Sequence, residues 1–489
     1  MERFRRAGHR FLQGVAFSMF LRAKQKPTCQ HLAISVHALS CVHSLWDSGR
    51  KLMLFRCVRC KLPSLVLILY CLASQTINCQ RNSEPEASKQ VSATPAVTPG
   101  ANPAHPLISF DRDGLLISNR DASSSARIHG YLQADGRFFV ANFEDLQQND
   151  LRFRRIRPMV EGHIGRRLSF RLMPDFGENQ VVTQEVYTEW KFDRDITLQA
   201  GKFKTPIGLE VLRSDRDLNF VERSLASDLV PVRDLGVQLE GSLSRNELTY
   251  DVGYFSGTED GSNANFAWKG TKEGVVRVAF KPLTDIHSDL ARALSIGAAV
   301  SVGHAHNAPP SYNSVGQKTF FTYTPGVVAW GARRRVSPQA HYYYGPLGIL
   351  AEYVISGESV QSVDAHRYLA HNAWEIAGSY FLTGEKNQFA GVQPWREQQP
   401  CTGIRRWGAW ELAARHSEIH LDPGSFPTFA SPAHSAQDSR ESAVGLNWCI
   451  NRHVKLQMAY EHSTFSAPQG NDSPLHTENM GTARLQLGL

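Results

Sequence analysis

Residues 454–461 read Val-Lys-Leu-Gln-Met-Ala-Tyr-Glu, a stretch in which apolar and mostly polar side chains alternate. Successive side chains of an extended strand point to opposite faces, so Lys455, Gln457 and Glu461 share one face and the apolar residues share the other. The pattern predicts a β-strand with one apolar face.

The same period of two recurs along the chain after residue 106, where no helical period of useful length is found. Further alternating stretches lie at residues 168–172, 185–192, 237–243, 249–254, 276–281, 374–380, 443–450 and 483–489. Several run to about ten residues, whereas strands of globular sheets usually have about five or six. We therefore expect an all-β protein with long strands.

Two architectures produce such strands. A soluble sandwich turns the apolar face to its core, whereas an outer-membrane barrel turns it to lipid and lines a wet lumen with the polar face. Repeated charges on the polar face favour the barrel, and so do aromatic residues near strand ends. These are Trp190, Trp374, Tyr380, Trp448 and Tyr460. We predict a transmembrane antiparallel β-barrel over residues 127–489, and the soluble sandwich stays the alternative.

The strand count follows from length. In a barrel of about 16 strands, residues 127–489 allow about 23 residues for each strand with its connection. The chain ends inside an alternating stretch, so no edge is left open if that last strand pairs with the first one.

The positive charge of the chain is confined to its beginning. The whole sequence carries a formal charge of +7, but 12 of the 53 Lys and Arg residues and only two acidic residues precede residue 81. The remaining 409 residues have a slight acidic excess, which excludes nucleic acid as a partner. Six of the eight cysteines lie in the same leader, and the spacing Cys57-Val-Arg-Cys60 lacks the second pair that a zinc site needs, so we expect no metal or other cofactor.

The leader predicts export. Basic residues at positions 56, 59 and 61 precede the apolar run 62–72, and Cys71-Leu-Ala73 offers a cleavage site for a secretory signal. We assign residues 53–73 to a signal peptide and expect translation to begin at Met53, which makes residues 1–52 a non-native extension. Residues 74–126 are expected to form a periplasmic linker and N-terminal segment, because residues 80–106 are rich in Pro, Ser and Ala.

Three blocks of sequence carry a family resemblance: residues 201–210 (GKFKTPIGLE), 220–224 (FVERS) and 232–237 (VRDLGV). Together with residues 130–139, 153–157 and 484–486, they resemble the phosphate-selective porin O and P family over the chain from about residue 112. The resemblance implies a sixteen-stranded, homotrimeric porin of the outer membrane, with a long loop folded into the lumen. It also implies passive diffusion of phosphate or other small anions past basic side chains at a constriction, with outer-membrane lipid around the barrel. The chain departs from the usual terminal Phe of such porins by ending in Leu489.

Seven basic residues are candidates for this anion-binding constriction. They are Arg223, Lys204, Arg213, Arg216, Arg233, Arg154 and Arg155. A ring of Arg or Lys replaces part of an anion's hydration shell, and the planar guanidinium gives phosphate bidentate hydrogen bonds. Arg223 is the first choice because it lies in the FVERS block. Arg154 and Arg155 are adjacent in a strand, so only one of them is expected to face the lumen.

Acidic residues are interleaved with these cations, at positions 215, 217, 222, 228 and 234. The charges could therefore pair with one another and only stiffen the loop. A general diffusion porin fits the residues nearly as well as a phosphate-selective one. The basic run Arg333–Arg335 is interpreted as a strand end near lipid headgroups or the lumen. We expect no enzymatic activity, because the sequence has no G-x-S-x-G, H-E-x-x-H or glycine-rich phosphate loop.

Overall fold

The alternation predicted from the sequence is present in the structure, and its polar side is the buried one. In the strand Val454–Ser466, Gln457 and Glu461 are 2% and 1% exposed, whereas Met458 and Tyr460 are 50% and 47% exposed. An apolar exterior around a polar interior is the arrangement of a membrane barrel. The alternative of a soluble sandwich is wrong, because a sandwich buries the apolar side.

The computed structural model describes residues 107–111, 113–140, 149–193, 195–243, 247–265, 271–283, 288–392, 408–468, 475 and 477–488. The proposed extension, signal peptide and Pro-rich linker lie outside these residues. Twenty strands occur in the described part, in this chain order: β1 (Leu107–Asp111), β2 (Gly114–Ser118), β3 (Ser124–Phe139), β4 (Asp150–Ile164), β5 (Leu168–Asp175), β6 (Val182–Lys191), β7 (Ile196–Lys204), β8 (Arg233–Leu243), β9 (Leu248–Phe255), β10 (Lys272–Phe280), β11 (Leu294–Asn307), β12 (Tyr312–Asn313), β13 (Thr319–Phe321), β14 (Val328–Tyr344), β15 (Leu347–Gln361), β16 (His366–Phe381), β17 (Ala409–His420), β18 (Asp438–Cys449), β19 (Val454–Ser466) and β20 (Glu478–Gly488).

Sixteen of these strands, β3–β11 and β14–β20, pair antiparallel with their neighbours and form a closed wall. The wall closes where β20 pairs with β3, in the register Gln133 to Gln486 and Asp135 to Arg484. The prediction of a transmembrane antiparallel barrel of about sixteen strands is confirmed.

Two small additions accompany the wall. The β1–β2 hairpin pairs through β2 with the first residues of β3, so strands occur in the segment predicted as linker and N-terminal segment. A second hairpin, β12–β13, lies in the connection from β11 to β14. The α-helices of the described part are one-turn elements, α1 (Leu209–Leu212) and α2 (Asp289–Arg292). None of the described helices has the length and apolar character needed to cross a membrane.

The connections differ between the two ends of the barrel. One end has short connections and is called the turn end here; there, β14 and β15 are joined by Gly345 and Pro346 alone. The other end has long connections and is called the loop end here. Its residues 205–232, 308–327 and 421–437 fold into the barrel and bury apolar side chains inside the wall. Ile207, Leu225, Phe320 and Phe429 are at most 2% exposed and belong to one apolar cluster with inward-facing wall residues such as Ala373. Burial of apolar area therefore holds the long connections inside the barrel.

The seam between the first and last wall strands contains a buried ion pair. Arg484 donates to both oxygens of Asp135 at 2.6 Å, and neither side chain is more than 2% exposed. Beside it, the Gln133 amide donates to Gln486 at 2.6 Å. The two strands are thus joined by matched polar side chains as well as by backbone hydrogen bonds.

Asp135→Asn is expected to lower barrel stability by about 3–5 kcal/mol, because it leaves the Arg484 guanidinium buried without a counter-charge. The loss is read as a lower temperature at which the compact barrel converts to the slow-migrating unfolded form on gels. Arg127→Gln is the control, since its exposed pair with Asp111 contributes at most about 1 kcal/mol. Equal effects of the two changes would contradict the importance of the seam pair.

Candidate functional site

The connection between β7 and β8, residues 205–232, crosses the lumen and is called the inward segment here. It begins in the GKFKTPIGLE block, where Gly208 has a φ of 82° and precedes α1. A side chain at Gly208 would meet Val230 at 2.6 Å, so only glycine fits this turn. Ile207 and Leu209 on either side are at most 1% exposed and fix the start of the segment in the apolar cluster and wall.

Side chains from strands on several sides of the barrel hold the inward segment. Glu352 of β15 accepts the backbone N–H groups of Leu209 at 2.7 Å and Glu210 at 3.1 Å. Four strands further round the wall, Gln457 of β19 donates to the carbonyl of Leu218 at 3.0 Å. The segment is therefore fixed across the lumen and narrows it.

Asp215 is the charge centre of the inward segment. Its carboxylate accepts from Arg157 and lies 2.7 Å from Arg223, 3.6 Å from Arg233 and 3.7 Å from Arg155. Burial opposes ionisation of this side chain, which is 2% exposed, but the four guanidinium groups hold its pKa well below the usual range. The cations around Asp215 thus favour its charged form.

Arg154 and Arg155 both face the interior, so the expectation that only one of them does is wrong. The register between β3 and β4 shifts at Gln133, where Arg155 and Phe153 oppose successive residues of β3 and Arg154 is the extra residue of a bulge. Arg154 donates to Glu222 of the inward segment at 2.7 Å. Arg155 donates to Gln133 at 2.9 Å and approaches Asp215. The bulge breaks the alternation on which the expectation depended.

A cavity of about 440 Å³ lies between the inward segment and the wall. Four of the seven predicted cations line it: Arg154, Arg155, Arg223 and Arg233. Arg157 adds a fifth guanidinium, and the lining also contains Asp175, Glu178, Asp215, Glu222 and Asp228. The cavity wall therefore has equal numbers of basic and acidic side chains.

The other three predicted cations lie elsewhere. Lys204 donates to the carbonyls of Leu212 and Arg213, at 3.3 and 2.5 Å. Arg213 donates to Asn219 and to a backbone carbonyl, each at 2.5 Å. Arg216 lies over the ring of Tyr131 at 5.8 Å. Among the described residues none of these three cations forms an ion pair, and two of them satisfy carbonyl groups of the inward segment.

A family comparison agrees with this architecture. The family model for phosphate-selective porin O and P matches residues 127–489, which include almost the whole wall. The chain belongs to the phosphate-selective porin O and P family. It is an outer-membrane porin, as the sequence predicted, and its family and fold are those of a channel rather than of an enzyme.

Several solved porin structures are similar to the chain at low sequence identity. OmpT of Vibrio cholerae in its trimer form is 11% identical, with 75% of this chain and 100% of that chain covered and a TM-score of 0.47. The outer-membrane channel DcaP of Acinetobacter baumannii is 9% identical, with 77% and 100% covered and a TM-score of 0.49. An anion-selective porin from Comamonas acidovorans is 10% identical, with 75% and 100% covered and a TM-score of 0.48. No curated protein matches the sequence. The assignment therefore rests on the family match.

The porin also has interior arginines outside the seven predicted cations. Arg157, which is not among the seven, contacts Asp215 and Asp175. Arg333 and Arg335 are at most 1% exposed on β14 and point inward, whereas Arg334 between them points outward. Their period of two was visible, but their carboxylate partners Glu358 and Asp260 come from other parts of the chain. Across the described residues no group of His, Cys, Asp and Glu is arranged to hold a metal ion.

A second segment enters the porin from the turn end. Residues 382–392 follow β16, and the Phe389 ring stacks on His341 of β14 at 5.2 Å between centroids. The Arg213 guanidinium lies 5.9 Å from the same ring. Phe389 thereby links the turn-side segment to the inward segment, and both occupy space in the lumen.

Phe389→Ala is expected to raise single-channel conductance, because the ring that fills the space between His341 and Arg213 is removed. The measurement is the current step in planar bilayers at fixed salt. Leu382→Ala is the matched control on the same segment, since Leu382 is 51% exposed. An unchanged single-channel current step in Phe389→Ala would show that the ring lies outside the conducting path.

Proposed function

We propose that this porin passes small anions, with phosphate preferred, through the cavity beside the inward segment. The observation that carries the proposal is the convergence of five guanidinium groups on one cavity of about 440 Å³. Guanidinium groups recognise phosphate oxygens in bidentate fashion, and a low-dielectric wall strengthens their field. The family name supports phosphate as the anion.

The equal number of carboxylates around the cavity favours a second candidate, a general diffusion porin with weak charge preference. Phosphate titration separates the two functions. Low phosphate concentrations block the chloride current of a phosphate-preferring channel, because a bound phosphate delays the next ion. A general porin shows no such block.

Arg223→Gln tests the role of the cavity. One unit charge at about 7 Å and an effective dielectric constant of about 20 contributes about 2 kcal/mol. Removing it is therefore expected to lower anion-over-cation permeability by up to about thirtyfold, read as a shift of the reversal potential in a potassium chloride gradient.

Arg277→Gln is the control for the Arg223 experiment. Arg277 carries the same charge on β10 and pairs with Asp251 at 3.1 Å, but it does not line the cavity. Anion selection by the cavity is contradicted if the reversal potential of Arg223→Gln stays at the wild-type value. It is also contradicted if Arg277→Gln shifts the reversal potential equally.

The proposal includes assembly and export. We infer a homotrimer in outer-membrane lipid, supported by the family, and removal of a signal peptide at residues 53–73. The mature chain is then expected to begin after Ala73, with residues 74–126 as periplasmic linker and N-terminal segment. Intact mass and N-terminal peptides of native porin measure this start. A peptide from residues 1–52 would contradict translation from Met53.

A further inference from the structure

The outward side of four neighbouring strands, β10, β11, β14 and β15, carries basic side chains but no acidic ones near the loop end. Strand alternation separates these basic residues from buried neighbours such as Glu273 and Arg335, which face the interior. No acidic residue faces outward from the described part of the four strands. The exposed basic residues, called the basic rim here, are Lys272 of β10, His304 and His306 of β11 and Arg334 of β14.

The strand register brings three members of the basic rim together. Lys272 is opposite His304 in the pairing of β10 with β11. Arg334 is opposite Val302 in the pairing of β11 with β14, and is therefore diagonal to His304. On one face of an antiparallel pair, Cβ atoms of opposite residues are about 5 Å apart and those of diagonal residues about 7–8 Å. Lys and Arg side chains span these separations, so the three basic groups can contact one tetrahedral anion.

The charges of the basic rim are not balanced by the chain. Neither Lys272 nor Arg334 forms an ion pair with a residue in the described part of the chain. On the outward side of β17 and β18, by contrast, Glu418 lies 3.4 Å from Arg440 and 3.3 Å from His416. That part of the wall pairs its own charges, whereas the basic rim presents a positive field to its surroundings. The rim therefore suits an anion that comes from outside the chain.

The basic rim lies just beyond the apolar band of the wall. Between Arg334 and the turn end, the outward residues of β14 are Val336, Pro338, Ala340, Tyr342 and Tyr344. A strand segment of that length, tilted by about 40°, rises about 23 Å, which is close to the roughly 25 Å of an outer-membrane apolar band. Long loops of such barrels are extracellular, so the loop end meets the outer leaflet. The rim is thus at the level of the outer-leaflet headgroups.

An aromatic pair marks the same level. The ring of Trp330, which is 49% exposed, lies 4.0 Å from the ring of His306 between centroids. Tryptophan collects where hydrocarbon meets headgroups, because its ring is apolar and its N–H group is polar. Below this pair, the exposed Val302 and Val336 continue the apolar surface toward the turn end.

We propose that the basic rim is a binding site for the phosphate-bearing headgroup of an outer-leaflet lipid. Lys272, His304 and Arg334 contact the phosphate, and the acyl chains lie on the apolar surface of β11 and β14. Guanidinium gives the phosphate oxygens bidentate hydrogen bonds, while the lysine ammonium acts as a point charge. The inference does not depend on which anion permeates, because the rim faces away from the lumen.

The test titrates detergent-solubilised porin with dioleoyl phosphatidate, whose headgroup is a bare phosphate monoester, and counts bound lipid by native mass spectrometry. Wild type is expected to bind it more tightly than dioleoyl phosphatidylcholine, which has the same acyl chains but no net charge. Arg334→Gln is expected to raise the dissociation constant for phosphatidate about tenfold, because it removes a charge-assisted bidentate contact. An unchanged dissociation constant for phosphatidate overturns the proposal.

Two controls isolate the effect. Arg440→Gln removes one exposed outward cation at the same end of the wall and is expected to bind phosphatidate like wild type. Equal weakening in Arg440→Gln would assign the effect to net charge and overturn the proposal. Inorganic phosphate at the same concentration is expected to displace no phosphatidate, because it has no acyl chains to place on the apolar surface. Displacement would make the rim a site for free phosphate and overturn the assignment to lipid.

Channel measurements separate the basic rim from the lumen. Arg334→Gln is expected to keep the single-channel conductance and reversal potential of wild type, because the side chain points outward. A changed conductance would place Arg334 on the conducting path and overturn the proposal. If Arg334→Gln forms no compact barrel, Lys272→Gln is measured in the same way and is expected to weaken phosphatidate binding. Failure of both variants to fold makes the rim a folding element and overturns the proposal.

Discussion

Closure of the sheet by β20 on β3 is the constraint on which the rest of the structure depends. In hydrocarbon an unpaired N–H or C=O group has no water to bind, so a sheet in a membrane has to end on itself. Once the wall is closed with its apolar side outward, the other side of every strand faces a confined space. The polar interior and the charges within it follow from that geometry.

A confined interior lined with charges has to balance them. The inward segment brings acidic residues to the arginines of β4 and β8, while β15, β17 and β19 supply groups for its backbone. Buried ion pairs of this kind add little net stability, because desolvation offsets their attraction, but separating the partners is costly. They define where the segment lies, and the apolar cluster of Ile207 and Leu225 supplies burial free energy. Position and stability thus come from different residues.

The sequence predicted the strands of the wall well, because the alternation within each strand is enough to identify that strand and its two faces. The stretch 454–461 indicates its two faces without reference to any other residue, and the GKFKTPIGLE block carries the family resemblance that implied a long loop folded into the lumen. The contacts of Arg157 and Arg155 with Asp215 were not predictable, because the residues are about 60 apart in the chain and meet only when the barrel closes around the inward segment. The bulge at Arg154 was hidden for a different reason, since an inserted residue changes pairing with β3 but leaves the local composition unchanged.

The ion pair at the seam has a consequence for assembly. Asp135 and Arg484 are 349 positions apart, the kind of long-range contact that forms late because so much chain has to be ordered first. When β20 arrives at β3, a slip of two residues keeps the apolar faces outward but separates the two charges. Hydrophobic matching alone cannot detect that error, whereas the charges can. The last strand pair of the wall therefore contains an ion pair that forms only in the correct register. A barrel closed with β20 shifted by two residues lacks this pair and reopens more easily.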